Sequence, residues 1–287
     1  NGAVALVKNG ELIYYLEEER LTRFKRDSFP IRGIIEATNR EKIDILVIGG
    51  TKDSNENHTT PWRANNIYES IILKTNPKNG PIKVLDFTSN HHAAHAGNAF
   101  YNSGFKDATV IVVDGAGSKS GKKCKMLGEY DVWESETIFS ANYPCNFEML
   151  WQHAPSNVFN SNNDLGVGIC KVYEAITTRL NWHPLEAGKV MGLSPYGKDN
   201  PLIPKFYING IADKNMFQPT YPSTAIVISK DLPQSKGEFH SDANKLTELE
   251  ADMAYQVQKE SEEQLFNLIE KALSLNNSNN ICITGGF

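Results

Sequence analysis

The chain has 287 residues, 40% of them hydrophobic, enough to bury one large core or two smaller ones. A formal net charge of -5 gives no general attraction to nucleic acid or to an anionic membrane surface. No apolar run approaches bilayer-spanning length, no secretory signal is present, and Cys124, Cys145, Cys170 and Cys282 form no CxxC pair. The expectation is a cytoplasmic protein with neither a zinc knuckle nor a disulfide framework.

Ala3 to Val7 and Leu12 to Leu16 read as strands joined by Asn9-Gly10, a dipeptide suited to the positive φ of a tight hairpin turn. The run Glu17-Glu18-Glu19-Arg20 follows, ordinarily a solvated charged face. Ile31 to Arg40 reads as a helix, Ile43 to Ile48 as a buried strand ending at Gly49-Gly50, and Thr51 to Trp62 as a polar surface loop in which His58 has no role. A short helix over Ile67 to Leu73 and a strand over Ile82 to Phe87 come next. Hairpin, helix, strand, helix and strand suit a mixed sheet flanked by helices.

Three of the seven histidines then fall within Ser89-Asn90-His91-His92-Ala93-Ala94-His95-Ala96. His91 and His95 lie four apart, so on a helix they share a face one turn apart and can share a metal ion. Thr109 to Val113 is β-branched and uncharged, a buried strand that ends in Asp114-Gly115-Ala116-Gly117. An acidic residue there can complete a metal site or open a glycine turn whose amides face phosphate. Two imidazoles and a carboxylate make an open site of the catalytic kind, although helix-capping and packing roles for these residues stay open. Gly117-Ser118-Lys119-Ser120-Gly121-Lys122-Lys123 lacks P-loop spacing and reads as a hairpin tip. Strands are expected through Tyr130-Val132-Trp133 and Glu136-Ile138-Phe139; Asn142 to Asn163 is irregular, with Trp151 and His153 either shaping an acceptor pocket or packing.

Leu165 to Leu180 reads as a helix. In Glu186-Ala187-Gly188-Lys189-Val190-Met191-Gly192-Leu193 a lysine flanked by glycines suits a phosphate-facing loop, or equally an exposed lysine after a C-cap. Short strands are expected between Leu202 and His240, the latter a surface residue. Leu246 to Leu275 is the longest helical pattern, and Ile281-Cys282-Ile283 is a buried strand delivering Gly285-Gly286, where backbone can approach a nucleotide.

Four stretches in order resemble the amino-terminal domain of the O-carbamoyltransferases, a family of nodulation-factor and antibiotic-tailoring enzymes related to the tRNA threonylcarbamoyladenosine synthases. They are Glu17 to Asp27 with Phe29-Pro30, Asn90 to Asp114-Gly115-Ala116-Gly117, Glu186 to Gly197 with its Met191-Gly192-Leu193-Ser194-Pro195-Tyr196-Gly197, and Ile281 to Gly286. The resemblance implies the two-lobed α/β fold of actin, the Hsp70 ATPase and sugar kinases, with residues 1–120 in the first lobe and 121–287 in a partial second lobe. It also implies carbamoyl transfer from carbamoyladenylate to a hydroxyl of a small-molecule acceptor. His91, His95 and Asp114 would bind a divalent metal, iron in the relatives with zinc as an alternative. Gly115, Gly117, Lys189, Gly192, Gly285 and Gly286 would face the adenylate, and Arg20 and Lys25 would contact donor or acceptor. In the family a general-base histidine precedes the position of Asn1, a further aspartate ligand follows that of Phe287, and a second domain makes carbamoyladenylate from carbamoyl phosphate and ATP. The expectation is therefore a piece of a longer enzyme, inactive by itself, without nucleic-acid or membrane partners. A tRNA threonylcarbamoyl transferase subunit, a kinase-like ATPase and a non-catalytic nucleotide-binding module remain alternatives.

Overall fold

The computed structural model describes residues 2–50, 66–78, 80–120, 132–155, 166–221, 225–232 and 247–286. The chain forms two compact units, Asn1–Ser89 and Asn90–Phe287, both mixed α/β. The second unit begins at the histidine-bearing helix and includes the strand that leads into Asp114.

In the first unit β1 (Ala3–Lys8) and β2 (Glu11–Glu17) form the expected antiparallel hairpin. Asn9 and Gly10 take φ values of 53° and 86°, as the turn requires. A short helix, α1 (Glu18–Thr22), occupies the acidic run. Its Glu18 is buried, because both carboxylate oxygens accept backbone N–H groups, from Arg32 and Gly33. Those donors open α2 (Ile31–Arg40), so a residue that reads as a solvated charge is the cap of the next helix. The parallel pair β3 (Ile45–Ile48) and β4 (Lys83–Asp86) and the helix α3 (Asn66–Thr75) complete the unit. Ile34, Ile43, Ile72 and Ile82 form its core.

The second unit opens with α4 (His91–Ser103) and β5 (Asp107–Val113). A two-residue pair, β6 (Lys119–Ser120) and β7 (Val132–Trp133), precedes the longer β8 (Glu136–Asn142) and β9 (Asn146–His153). Then come α5 (Ile169–Arg179), α6 (Ala187–Leu193), the small hairpins β10 (Tyr207–Ile208) with β11 (Ile211–Ala212) and β12 (Phe217–Gln218) with β13 (Ile226–Val227), α7 (Glu248–Leu275) and β14 (Ile281–Gly285). The main sheet runs β14-β5-β8-β9, with β14 parallel to β5 and the other pairs antiparallel. Val110 and Val112 of β5 face α4, in a cluster with Ala96 and Phe100; Ile111 and Val113 face α5 and α7. A strand buried on both faces reads as a continuous apolar run for this reason. Thr247 and Glu250 form a capping box that starts α7.

Two expectations change, and one lies beyond what the structure describes. Residues 146–153, read as irregular, form β9; its half-exposed residues blur the alternation, and pairing with β8 makes the strand. The glycines around Lys189 lie within α6 and do not form a loop, each with open space where a Cβ would stand. The tip residues Gly121, Lys122 and Lys123, like His58, Cys124 and His240, lie outside the described residues.

Phe100 is 1% exposed and packs edge-on to Phe147. Phe100→Ala is expected to lower unfolding free energy by about 3–5 kcal/mol. Phe266→Ala on the exposed face of α7 should change it by less than about 0.5 kcal/mol, both read by urea denaturation.

Candidate metal centre

The helix α4 owes its start to a local break and its end to Gly104, which takes φ 76° as a left-handed C-cap. Between them, alanines at 93, 94, 96 and 99 favour helix. His92, Ala96 and Phe100 follow one another at helical spacing and are buried. His91 and His95 are rotated about one residue from that stripe, which turns them from the packing face towards the end of β5.

Asp114 meets them there. Its Oδ2 lies 3.0 Å from His91 Nε2, and His91 Nε2 lies 3.0 Å from His95 Nε2. One ligand atom from each residue falls within 4.8 Å of the others. Contacts of this length suit neighbouring ligands of one ion bound at about 2.1 Å. Burial pushes the Asp114 carboxyl up, but the His91 hydrogen bond and charge, with the Gly115 N–H, outweigh it and hold the pKa at about 2. Burial first, then His91, pushes His95 down. An ionised carboxylate and a neutral imidazole are the forms a metal requires, so the residues present fit a divalent cation.

Tight glycines surround this cluster. A Cβ on Gly285, at φ 130°, would stand 1.8 Å from the Val113 carbonyl oxygen, and one on Gly286 2.7 Å from Asp114 Oδ1. On Gly117 it would stand 2.7 Å from His92 Cδ2, and on Gly115 2.8 Å from Glu174 Oε1. Only glycine lets the two strand ends and the turn come this close. The structure therefore brings together His91, His95, Asp114, Gly115, Gly117, Gly285 and Gly286. It sets Lys189 on the exposed side of α6, its Nζ 2.8 Å from Glu186, with Gly192 on the same helix. Arg20 lies 3.6 Å from Glu17 and 3.8 Å from Glu19 in the first unit, and Lys25 is exposed there.

Sequence reasoning missed Lys171 and Glu174. Both lie on α5, Lys171 buried, with Lys171 Nζ 2.8 Å from Glu174 Oε2 and the pair beside Gly115. A lysine within an apolar helical stripe was the available signal. Trp151 and His153, by contrast, line a cavity of about 370 Å³ on the α5–α7 side of the sheet. There His153 Nδ1 lies 2.5 Å from Glu136, whose other oxygen accepts from the Ile169 N–H.

Two imidazoles and an aspartate at a glycine-lined strand end define a candidate metal- and phosphate-binding centre in a mixed α/β protein. The chain belongs to the carbamoyltransferase family: residues 49–287 match the domain described as the carbamoyltransferase N-terminus. It is 25% identical over 330 aligned residues to the uncharacterized protein sll1178 of Synechocystis, covering 100% of this chain and 49% of that protein. Nodulation protein NolNO of Sinorhizobium fredii is 24% identical over 72% of this chain and 30% of its own length. The uncharacterized protein MJ1051 of Methanocaldococcus jannaschii is 28% identical over 70% of this chain and 32% of its own. The chain thus spans half or less of the curated relatives it matches. No helix among the described residues is long and apolar enough to cross a membrane.

His92 is fully buried, with Nδ1 2.8 Å from Thr137 Oγ1. Burial, against a smaller opposing effect of Asp114, lowers its pKa from 6.5 to about 4. Below 6.5 the unfolded chain takes up a proton that folded His92 refuses, so stability falls with pH until about 4 and then levels. In chelator-treated protein this costs roughly 3 kcal/mol across the window. Urea midpoints at about pH 7 and about pH 4.5 should differ accordingly, and His92→Gln should narrow that difference.

Proposed function

We propose that this chain is the metal- and donor-binding part of an O-carbamoyltransferase, whose full-length form moves a carbamoyl group from carbamoyladenylate to a hydroxyl of a small molecule. One observation carries the reading: in a chain of the carbamoyltransferase family, His91, His95 and Asp114 converge beside the glycine turns at 115–117 and 285–286. In this reading the chain has the two-lobed actin-type ATPase fold, with residues 1–120 in the first lobe and 121–287 in a partial second lobe.

His91 Nε2, His95 Nε2 and a carboxylate oxygen of Asp114 hold the cation, iron or alternatively zinc. When bound, it supplies Lewis acidity to the carbamoyl carbonyl. The glycines at 115, 117, 285 and 286 let backbone approach the adenylate without a side chain between them. Lys171, held by Glu174 beside Gly115, places an ammonium near the donor's phosphate, and being already oriented it loses little entropy on binding. Lys189 and Gly192 are further candidates for the same phosphate, and Arg20 and Lys25 for donor or acceptor contacts. ATP and carbamoyl phosphate enter as precursors of the donor in the full-length protein.

Metal analysis of the full-length protein tests the reading. Wild type should carry about one iron or zinc per chain, lost in His91→Ala/His95→Ala. Lys171→Ala should raise KM for carbamoyladenylate by about 10- to 100-fold, the worth of one charged hydrogen bond. No metal in wild type even after reconstitution overturns the proposed chemistry and favours a kinase-like or non-catalytic module.

A further inference from the structure

We propose that Glu134 is a positioning residue that clamps the histidine helix to the glycine turn, an inference that rests on the metal reading above. The first turn of a helix leaves backbone N–H groups without intrahelical partners. In α4 the N-cap residue, Asn90, makes no side-chain capping bond. Glu134, far along the chain in the link between β7 and β8, takes that place. Its Oε2 accepts the His92 N–H at 3.4 Å and, from the other side, the Ser118 N–H at 3.0 Å.

A single carboxylate oxygen therefore joins two segments, each carrying part of the candidate centre. His92 sits between His91 and His95; Ser118 directly follows Asp114-Gly115-Ala116-Gly117. The Glu134 backbone reinforces the tie, its carbonyl accepting from the Gly117 N–H at 2.8 Å and its N–H donating to the Ser118 carbonyl at 3.1 Å. Gly117 is wedged between the partners: a Cβ there would stand 2.8 Å from Glu134 Cβ as well as 2.7 Å from His92 Cδ2. Negative charge at a helix N-terminus is favourable, so a carboxylate suits the clamp better than a neutral acceptor. Rotation of α4 about its axis would swing His91 and His95 away from Asp114, and Glu134 opposes that rotation at the turn where the histidines sit.

The test uses the full-length protein with cobalt(II) as probe, reading affinity and visible absorption, beside peptide-level hydrogen exchange. Glu134→Ala should weaken cobalt binding by about 10- to 100-fold, as loss of an outer partner of metal ligands does, and alter the absorption bands. It should speed exchange in the peptides spanning 90–96 and 115–119 and leave α7 unchanged. Glu134→Gln, which keeps an acceptor oxygen, should restore most of both. Should Glu134→Ala fail to fold, Glu134→Asp, which keeps the charge but shortens its reach, takes its place. Wild-type affinity and exchange in a folded variant overturn the proposal. If wild type and variants alike bind no cobalt, the metal reading falls. Exchange then decides alone: faster exchange at both segments upholds the clamp and unchanged exchange overturns it.

Discussion

A carboxylate at the buried end of an apolar strand must find compensation, and much of the second unit is arranged around that need. Asp114 follows six uncharged residues of β5, is only 15% exposed at its side chain, and stays ionised. His91 on one side and the Gly115 N–H on another supply the compensation. Leaving such a charge unpaired in this position would cost several kcal/mol. The helix α4 must therefore present His91 at one register only, and the glycines at 285 and 286 must admit backbone where any side chain would collide.

Adjacent histidines divide the work on α4. His91 faces Asp114, while His92, one position and about 100° further round, enters the core. There its Nδ1 lies 2.8 Å from Thr137 Oγ1, which also accepts from the Gln152 amide. Its Nε2 has no hydrogen-bond partner among the described residues. A neutral, immobile imidazole beside Gly117 keeps positive charge out of a place where Asp114 already has its partner.

Much of this was legible in the chain. Asn9-Gly10, the alanine-rich helix of the histidines, the uncharged run from Thr109 to Val113 and the long helical pattern before Asn276 each carry their conformation in local sequence, and each formed as read. The convergence of His91, His95 and Asp114 was legible because helical spacing and a strand terminus define where side chains point. The strand β9 was not, since its residues alternate poorly and become a strand only by pairing with β8. Nor was the contrast between Lys171 and Lys189. Glycine neighbours single out Lys189 in the sequence, yet Gly188 and Lys189 sit on the exposed side of α6 and Gly192 on the same helix, whereas Lys171 gains its place from the docking of α5 under Gly115. Glu18 and Glu134 share that difficulty: each caps a helix from outside it, and no local pattern announces a cap supplied from another element.

The parallel pairing of β14 with β5 also governs when the main sheet can be completed. Asn276 bonds to Thr109 across 167 residues, and Ser278 and Asn280 reach back to Asp107 across a similar span. Contacts so distant in sequence form slowly, because the closure entropy of the intervening chain must be overcome before they contribute. During synthesis the histidines and Asp114 can meet as soon as α4 and β5 have emerged, but the wall formed by Gly285 and Gly286 must wait for everything between. Until then β5 offers a bare, strongly apolar edge, an invitation to pair with the wrong strand. Completion of this sheet therefore depends on β14 more than on the motif that marks the site's chemistry.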